Sequence, residues 1–147
     1  MKLSSRARYA LRAMMVVARE TKDGLPVNLA EVASRTRISR RYLEQVAISL
    51  KNAGLLKAVS GKNGGHLLTR SAETITLCEI VEAAIGQINI VECVECPEAC
   101  IMVEDCECRG IYQLINQNIK ATLNSFTLSD LAERRVKDLL GKQLLPG

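Results

Sequence analysis

Residues 39–70 read SRRYLEQVAISLKNAGLLKAVSGKNGGHLLTR, and the order of signals in this stretch decides the fold. Ser39 is a residue type that caps helices, because its hydroxyl accepts from N–H groups that a first turn leaves free. Leu43, Val46, Ala47 and Leu50 follow at the spacing of one buried helix face. Gly54 stops that helix as a C′ glycine does. Leu55 to Ser60 and His66 to Arg70 then read as two short strands. The Gly61-Lys62-Asn63-Gly64-Gly65 run joins them, its glycines permitting the positive φ values of a tight hairpin.

Upstream, Asn28-Leu-Ala-Glu31 pairs an N-cap with an acid three residues on. It opens a short helix to about Arg35, with a turn around Arg37. Asp23-Gly24-Leu25-Pro26 breaks the chain before it. Ser4 or Ser5 caps a first helix to about Thr21, whose apolar face is Ala10, Ala13, Met14, Val17 and Ala18. Two capped helices followed by a glycine-turned hairpin spell a winged helix-turn-helix. Downstream, Thr76-Leu-Cys-Glu79 opens a helix to about Ile85, and Thr127-Leu-Ser-Asp130 opens a last one ending near Gly141.

Between these lies a long helix, predicted over 107–126, with Ile111, Leu114, Ile115, Ile119, Leu123 and Phe126 in one continuous stripe. It runs past anything left in the chain to cover it, so a second copy is the expected partner, in a homodimer formed through this helix. The fold class is mainly α with a small β-hairpin wing. Residues 1–75 are expected to form the winged helix-turn-helix DNA-binding domain, and 76–147 the cysteine-rich loop and dimerisation helices.

With three Tyr, one Phe and no Trp among 147 residues, the core must be aliphatic. The longest apolar run, around Ala13 to Ala18, is too short to span a bilayer, so no membrane partner is expected. The N-terminus lacks the apolar h-region of a secretory signal, and the expected location is cytoplasmic. The net charge of +4 is unevenly shared: residues 1–70 hold 14 Lys or Arg against 4 Asp or Glu (+10), and residues 71–147 hold 6 against 12 (−6). A basic N-terminal half suits a polyanion, because neutralised phosphates release counterions.

Opposite the buried face of the 40–52 helix stand Arg41, Gln45, Ile48 and Asn52, with Glu44 beside them. Early polar residues on the second helix of such a module enter the major groove. There Arg41 can pair with guanine, Gln45 with adenine and Glu44 with cytosine N4, while Ile48 can meet a thymine methyl. The candidate DNA-binding residues are Arg8, Tyr9, Ser39, Arg40, Arg41, Glu44, Gln45, Ser60, Lys62 and Asn63.

The second unusual stretch is VECVECPEACIMVEDCECRG at 91–110, with five of the six cysteines: Cys93, Cys96, Cys100, Cys106 and Cys108. In a reducing compartment such a cluster points to a metal or redox site rather than a disulfide framework. Glu92, Glu95, Glu98, Glu104, Asp105 and Glu107 lie among the thiols, with no Lys or Arg before Arg109. Without metal the segment repels itself; a bound cation reverses that and ties the loop together. Cluster iron favours thiolates. Zinc is the alternative, since Cys93-x-x-Cys96 is half of a zinc knuckle, although Cys106-x-Cys108 is tight for the other half. An iron–sulfur redox protein without DNA function would need neither wing nor basic half. His66, the lone histidine, lies in the wing, so no catalytic base accompanies the thiols and no enzyme is expected. Cys78, on the apolar side of its helix, reads as core.

Arg8-Tyr9-Ala10, Tyr42-Leu43-Glu44-Gln45, the glycine pair at 64 and 65, and a cysteine loop before a long helix ending Thr127-Leu128 together resemble the iron–sulfur cluster regulators of the Rrf family. The resemblance spans nearly the whole chain. It implies a homodimeric winged-helix repressor that binds a double-stranded DNA operator, carries a [2Fe-2S] cluster and controls iron–sulfur assembly genes. The family spaces three cysteines with five residues between each and usually has a His three residues after the last. Carried over, this assigns Cys100 and Cys106, with Val94 at the first position between Cys93 and Cys96 and Arg109 in the His place. Cys93 is nearest the expected first position. Cys96 and Cys108 are candidates for the fourth ligand, and Arg109 for a hydrogen bond to cluster sulfides or thiolates.

Overall fold

The structure is a computed structural model that describes residues 1–143. Residues 144–147, the end of the expected second domain, lie outside the described residues. The helices are α1 (Ser5–Glu20), α2 (Leu29–Thr36), α3 (Arg40–Asn52), α4 (Leu77–Ile85), α5 (Glu107–Asn124), α6 (Leu128–Ala132) and α7 (Val136–Gln143). The hairpin of β1 (Leu56–Val59) and β2 (Gly65–Leu68) lies between α3 and α4.

Local chemistry sets the helix starts. Ser4 accepts from the Ala7 N–H, Asn28 from Glu31 and Ser39 from Tyr42. Thr76–Glu79 and Thr127–Asp130 close full capping boxes. Each such cap contributes about 1 kcal/mol. Arg37 turns the chain between α2 and α3 with a left-handed φ of 57°, and Gly54 ends α3 with φ 73°. The core forms around α1, whose Ala7, Ala10 and Ala13 are small enough to admit α4 closely. Met14 and Val17 of α1, Val32 of α2, Leu43, Val46 and Leu50 of α3, Ile80 of α4 and Leu128 of α6 fill it.

Only part of the glycine reading of the wing holds. Gly61 has a positive φ of 111°, but Gly64 and Gly65 do not. Their reason is space: a Cβ on Gly64 would press into the Val59 carbonyl oxygen, and one on Gly65 into that of Val27. Val27 bridges to His66, its N–H donating to the His66 carbonyl at 3.1 Å and its carbonyl accepting from His66 at 2.8 Å. The wing is thereby pinned to the strap that leads into α2.

Two further expectations are corrected. The last helix is not one helix: it breaks at Arg134, where φ is 60°, into α6 and α7. Arg19 of α1 caps the break: its Nε donates to the Ala132 carbonyl at 2.8 Å and its Nη2 to that of Leu131 at 3.1 Å. Last-turn carbonyls, which lack intrahelical donors, thereby gain them from another helix. Along α5 the apolar stripe divides. Ile119 and Leu123 pack on the chain's own core and Phe126, beyond the helix end, is buried, whereas Ile111 and Leu114 are 60% and 57% exposed.

Candidate nucleic-acid interface and cysteine loop

On α3 the side chains divide as the helical period requires. Leu43, Val46, Ala47 and Leu50 are buried, and Arg40, Arg41, Glu44, Gln45 and Ile48 are exposed together on the other side. Arg40 pairs with Glu44 at 3.2 Å, so the Glu44 carboxylate is already shared. Arg41 and Gln45 make no side-chain hydrogen bond or ion pair to other described side chains. Ser39 caps α3 with its oxygen and keeps its O–H free to donate. Tyr9 packs edge-on against Tyr42, ring centroids 5.3 Å apart, which places Tyr9 in the α1–α3 joint. Arg8 is exposed on α1 and donates to Ser5. Ser60, Lys62 and Asn63 are exposed around the hairpin turn. The candidate DNA-binding residues therefore fall into three places: the open face of α3, the wing tip and the start of α1.

His66 carries the wing's only titratable ring. Its Nδ1 is buried with no hydrogen-bond partner. Burial, and then the charge of Lys51, push its pKa below the ordinary 6.5. Beneath the loop, burial raises the Cys78 thiol above its usual value, with Glu82 adding to the effect.

All five loop thiols are free. Cys93, Cys100 and Cys106 are half-buried, whereas Cys96 and Cys108 are exposed. Cys106 stands at the N-cap of α5 without making a side-chain cap, so the helix begins with unsatisfied N–H groups beside Cys106 and Cys108. Tyr112 stands one helical turn after Cys108 on α5. The charge of Cys108, then a hydrogen bond to it, raise the Tyr112 pKa, and Cys106 and Cys93 contribute. Arg109 Nε donates to the Cys93 backbone carbonyl at 3.0 Å. Among the described residues no three Cys, His, Asp or Glu side chains converge closely enough to hold a metal ion. The donor chemistry suits thiolate-loving iron or zinc; the loop must close to gather it.

Sequence reasoning missed the residues that brace this loop. Cys108, Tyr112, Asn116 and Lys120 follow one another at i,i+4 on α5, forming a polar ridge beside the apolar stripe. Asn116 is buried and accepts the Ile90 N–H at 3.2 Å. Lys120 bridges Glu82 of α4 at 3.4 Å and Glu95 of the loop at 3.5 Å. Burial works against its charge, but these carboxylates prevail and raise its pKa. The four-residue spacing was the available signal.

Residues 3–134 match the family described as "Rrf2: Iron-dependent Transcriptional regulator". The HTH-type transcriptional regulators IscR of Photorhabdus laumondii and of Escherichia coli are each 33% identical over 144 residues, covering 97% of this chain and 87% and 88% of theirs. Among solved structures, CymR, the global cysteine regulator of B. subtilis, aligns with a TM-score of 0.74 at 32% identity over 91% of this chain and 98% of its own. IscR of T. potens aligns with a TM-score of 0.72 at 27% identity over 100% and 94%.

Proposed function

We propose, for a chain that belongs to the Rrf2 family of transcriptional regulators, a sensor whose cysteine loop binds a [2Fe-2S] cluster and adjusts how the winged domain meets its operator. That it is a DNA-binding transcription regulator and no enzyme follows from its relatives. The further reading is a homodimeric, cytoplasmic repressor of iron–sulfur assembly genes. Residues 1–75 read DNA, and 76–147 sense and pair. The exposed Ile111 and Leu114 of α5 support pairing through that helix. No described helix is long and apolar enough to cross a membrane.

The observation that carries the reading is the loop itself: free, half-buried thiols of Cys93, Cys100 and Cys106 on a segment that leads into α5 and is tied by Lys120 to α4. Cys100 and Cys106 would hold the cluster with Cys93 or Cys96, and Cys108 or Cys96 would complete the set. A bound cluster supplies a redox-active, labile crosslink among thiolates. The chain's own residues do the rest. Arg109 holds Cys93 to the first turn of α5, and Tyr112 stands one turn after Cys108. The unsatisfied N–H groups at the helix start favour negative charge there.

Visible absorption with iron and sulfide assay of anaerobically purified protein tests the ligands. Single Ala replacements should abolish the cluster spectrum at Cys100, at Cys106 and at one of Cys93 and Cys96. A spectrum surviving Cys106→Ala defeats the assignment, and full zinc occupancy without iron replaces it with a structural site. Sensing requires that operator affinity differ between apo and loaded protein, because a ligand shifts an equilibrium only by its differential affinity.

A further inference from the structure

Arg6 belongs to the first turn of α1, yet its guanidinium serves two other helices. Nε donates to the Ala84 carbonyl at 2.7 Å, and Nη2 donates to the Ser49 hydroxyl at 2.5 Å. Ala84 lies in the last turn of α4, where carbonyls lack intrahelical donors and the helix dipole is negative. A guanidinium answers both needs. Ser49 lies on α3 one turn after Gln45, and its hydroxyl is 3.5 Å from the Gln45 carbonyl. One forked side chain thus joins the helix expected to read DNA to the end of α4.

The cysteine loop leaves from that same end. Gly86 turns the chain out with φ 85°, and Glu82 accepts the Ile88 N–H at 3.3 Å. Lys120 ties Glu82 to Glu95, which stands between Cys93 and Cys96. A loop that closes around its thiols and shifts Glu95 therefore acts on the last turn of α4. Arg19, at the other end of α1, provides the contrast: it donates to two carbonyls of α6 and to no further helix. It is a cap, whereas Arg6 is a link.

We propose that Arg6 is a positioning residue for DNA reading, setting α3 against the last turn of α4 and carrying the state of the cysteine loop to it. The second half rests on the cluster-sensing reading above; the first does not. The fork explains the choice of arginine. Lysine would keep the charge but offers a single nitrogen, and cannot meet Ala84 and Ser49 in the same geometry.

The test begins with a duplex selected by the wild-type protein from a random-sequence pool, compared with a scrambled duplex. On apo protein, Arg6→Lys and Ser49→Ala should each weaken binding to the selected duplex about tenfold, the scale of one lost base contact. Binding to the scrambled duplex and its salt dependence should stay unchanged. The double variant should be no worse than Arg6→Lys alone, because both remove the same link. Equal losses on both duplexes, or selected-duplex affinity within about twofold of wild type, overturn the positioning role. Contiguity is not coupling, so the loop is tested separately by the ratio of apo to cluster-loaded affinities. That ratio should fall towards unity in Arg6→Lys, and its retention overturns the coupling. A wild-type ratio of unity overturns the sensing reading and the coupling with it, while the selected-versus-scrambled comparison still decides the positioning.

Discussion

Replacing Gly65 with alanine should loosen the wing from the helix-turn-helix. The new Cβ would stand 2.5 Å from the Val27 carbonyl carbon and 2.9 Å from the Asn28 nitrogen, with the Val27 oxygen closer still. Backbone cannot yield there without separating Val27 from His66, which forfeits hydrogen bonds of 3.1 and 2.8 Å. Two such bonds contribute about 1 kcal/mol each, and overpacking adds about 1–3 kcal/mol. The smaller unfolded-state entropy of alanine returns about 0.4–1 kcal/mol. The net loss is about 2–4.6 kcal/mol. For a chain of this length that lowers the melting temperature by roughly 6–14 °C, read by calorimetry at fixed protein concentration. Gly110→Ala is the control: nothing lies within 4 Å of its Cβ position in α5, and it should gain about 0.5–1 kcal/mol. A Gly65→Ala protein melting within about 2 °C of wild type would refute the claim that close approach, not φ, demands glycine at this position.

Asn116→Ala should cost about 1–3 kcal/mol by stranding the Ile90 N–H, seen as a lower denaturant midpoint and faster amide exchange at Ile90. An unchanged midpoint would show that Asn116 does not brace the loop. His66 favours the neutral ring when folded, so its contribution to stability is complete above its ordinary pKa of 6.5 and is lost as pH falls below that towards the depressed folded value. His66→Phe should flatten that limb of the stability curve, and identical curves would exclude His66 as its source. Arg41→Ala should relax sequence preference by about 1–3 kcal/mol, whereas Lys62→Ala should weaken all duplexes alike and reduce the salt slope by about one. Intact discrimination after Arg41→Ala would move the reading face elsewhere on α3.

The helix starts were legible because they are written within four residues: Ser39 before Tyr42, Thr76 before Glu79, Thr127 before Asp130. The order of capped helix, left-handed Arg37, capped helix and glycine hairpin then leaves little choice of fold. What escaped the sequence depends on partners distant along the chain. Arg19 caps the end of α6 from 112 and 113 residues away, so the break there is not written locally. Gly65 reads locally as a turn residue because Val27, which crowds it, is far upstream. In the cysteine loop the donors were plain, but the brace of Asn116 and Lys120 depends on Ile90, Glu82 and Glu95, all far upstream. The contact of Arg109 Nε with the Cys93 carbonyl likewise shows only in the folded loop.

Thr76 and Thr127 face each other in an isolated bridge, with Leu77 donating to the Phe126 carbonyl at 3.1 Å and Leu128 to that of Ile75 at 2.8 Å. The two stretches thus meet at one point beside the shared core, and each threonine there also starts the next helix. The 21 residues from Gly86 to Cys106 join two helices that are already held in one body, so a change in their length adds only a logarithmic entropy term, about 0.6 kcal/mol for a doubling. That loop can be shortened or extended while α4 and the end of α5 stay in the core and keep a last helical turn for Arg6 to grip.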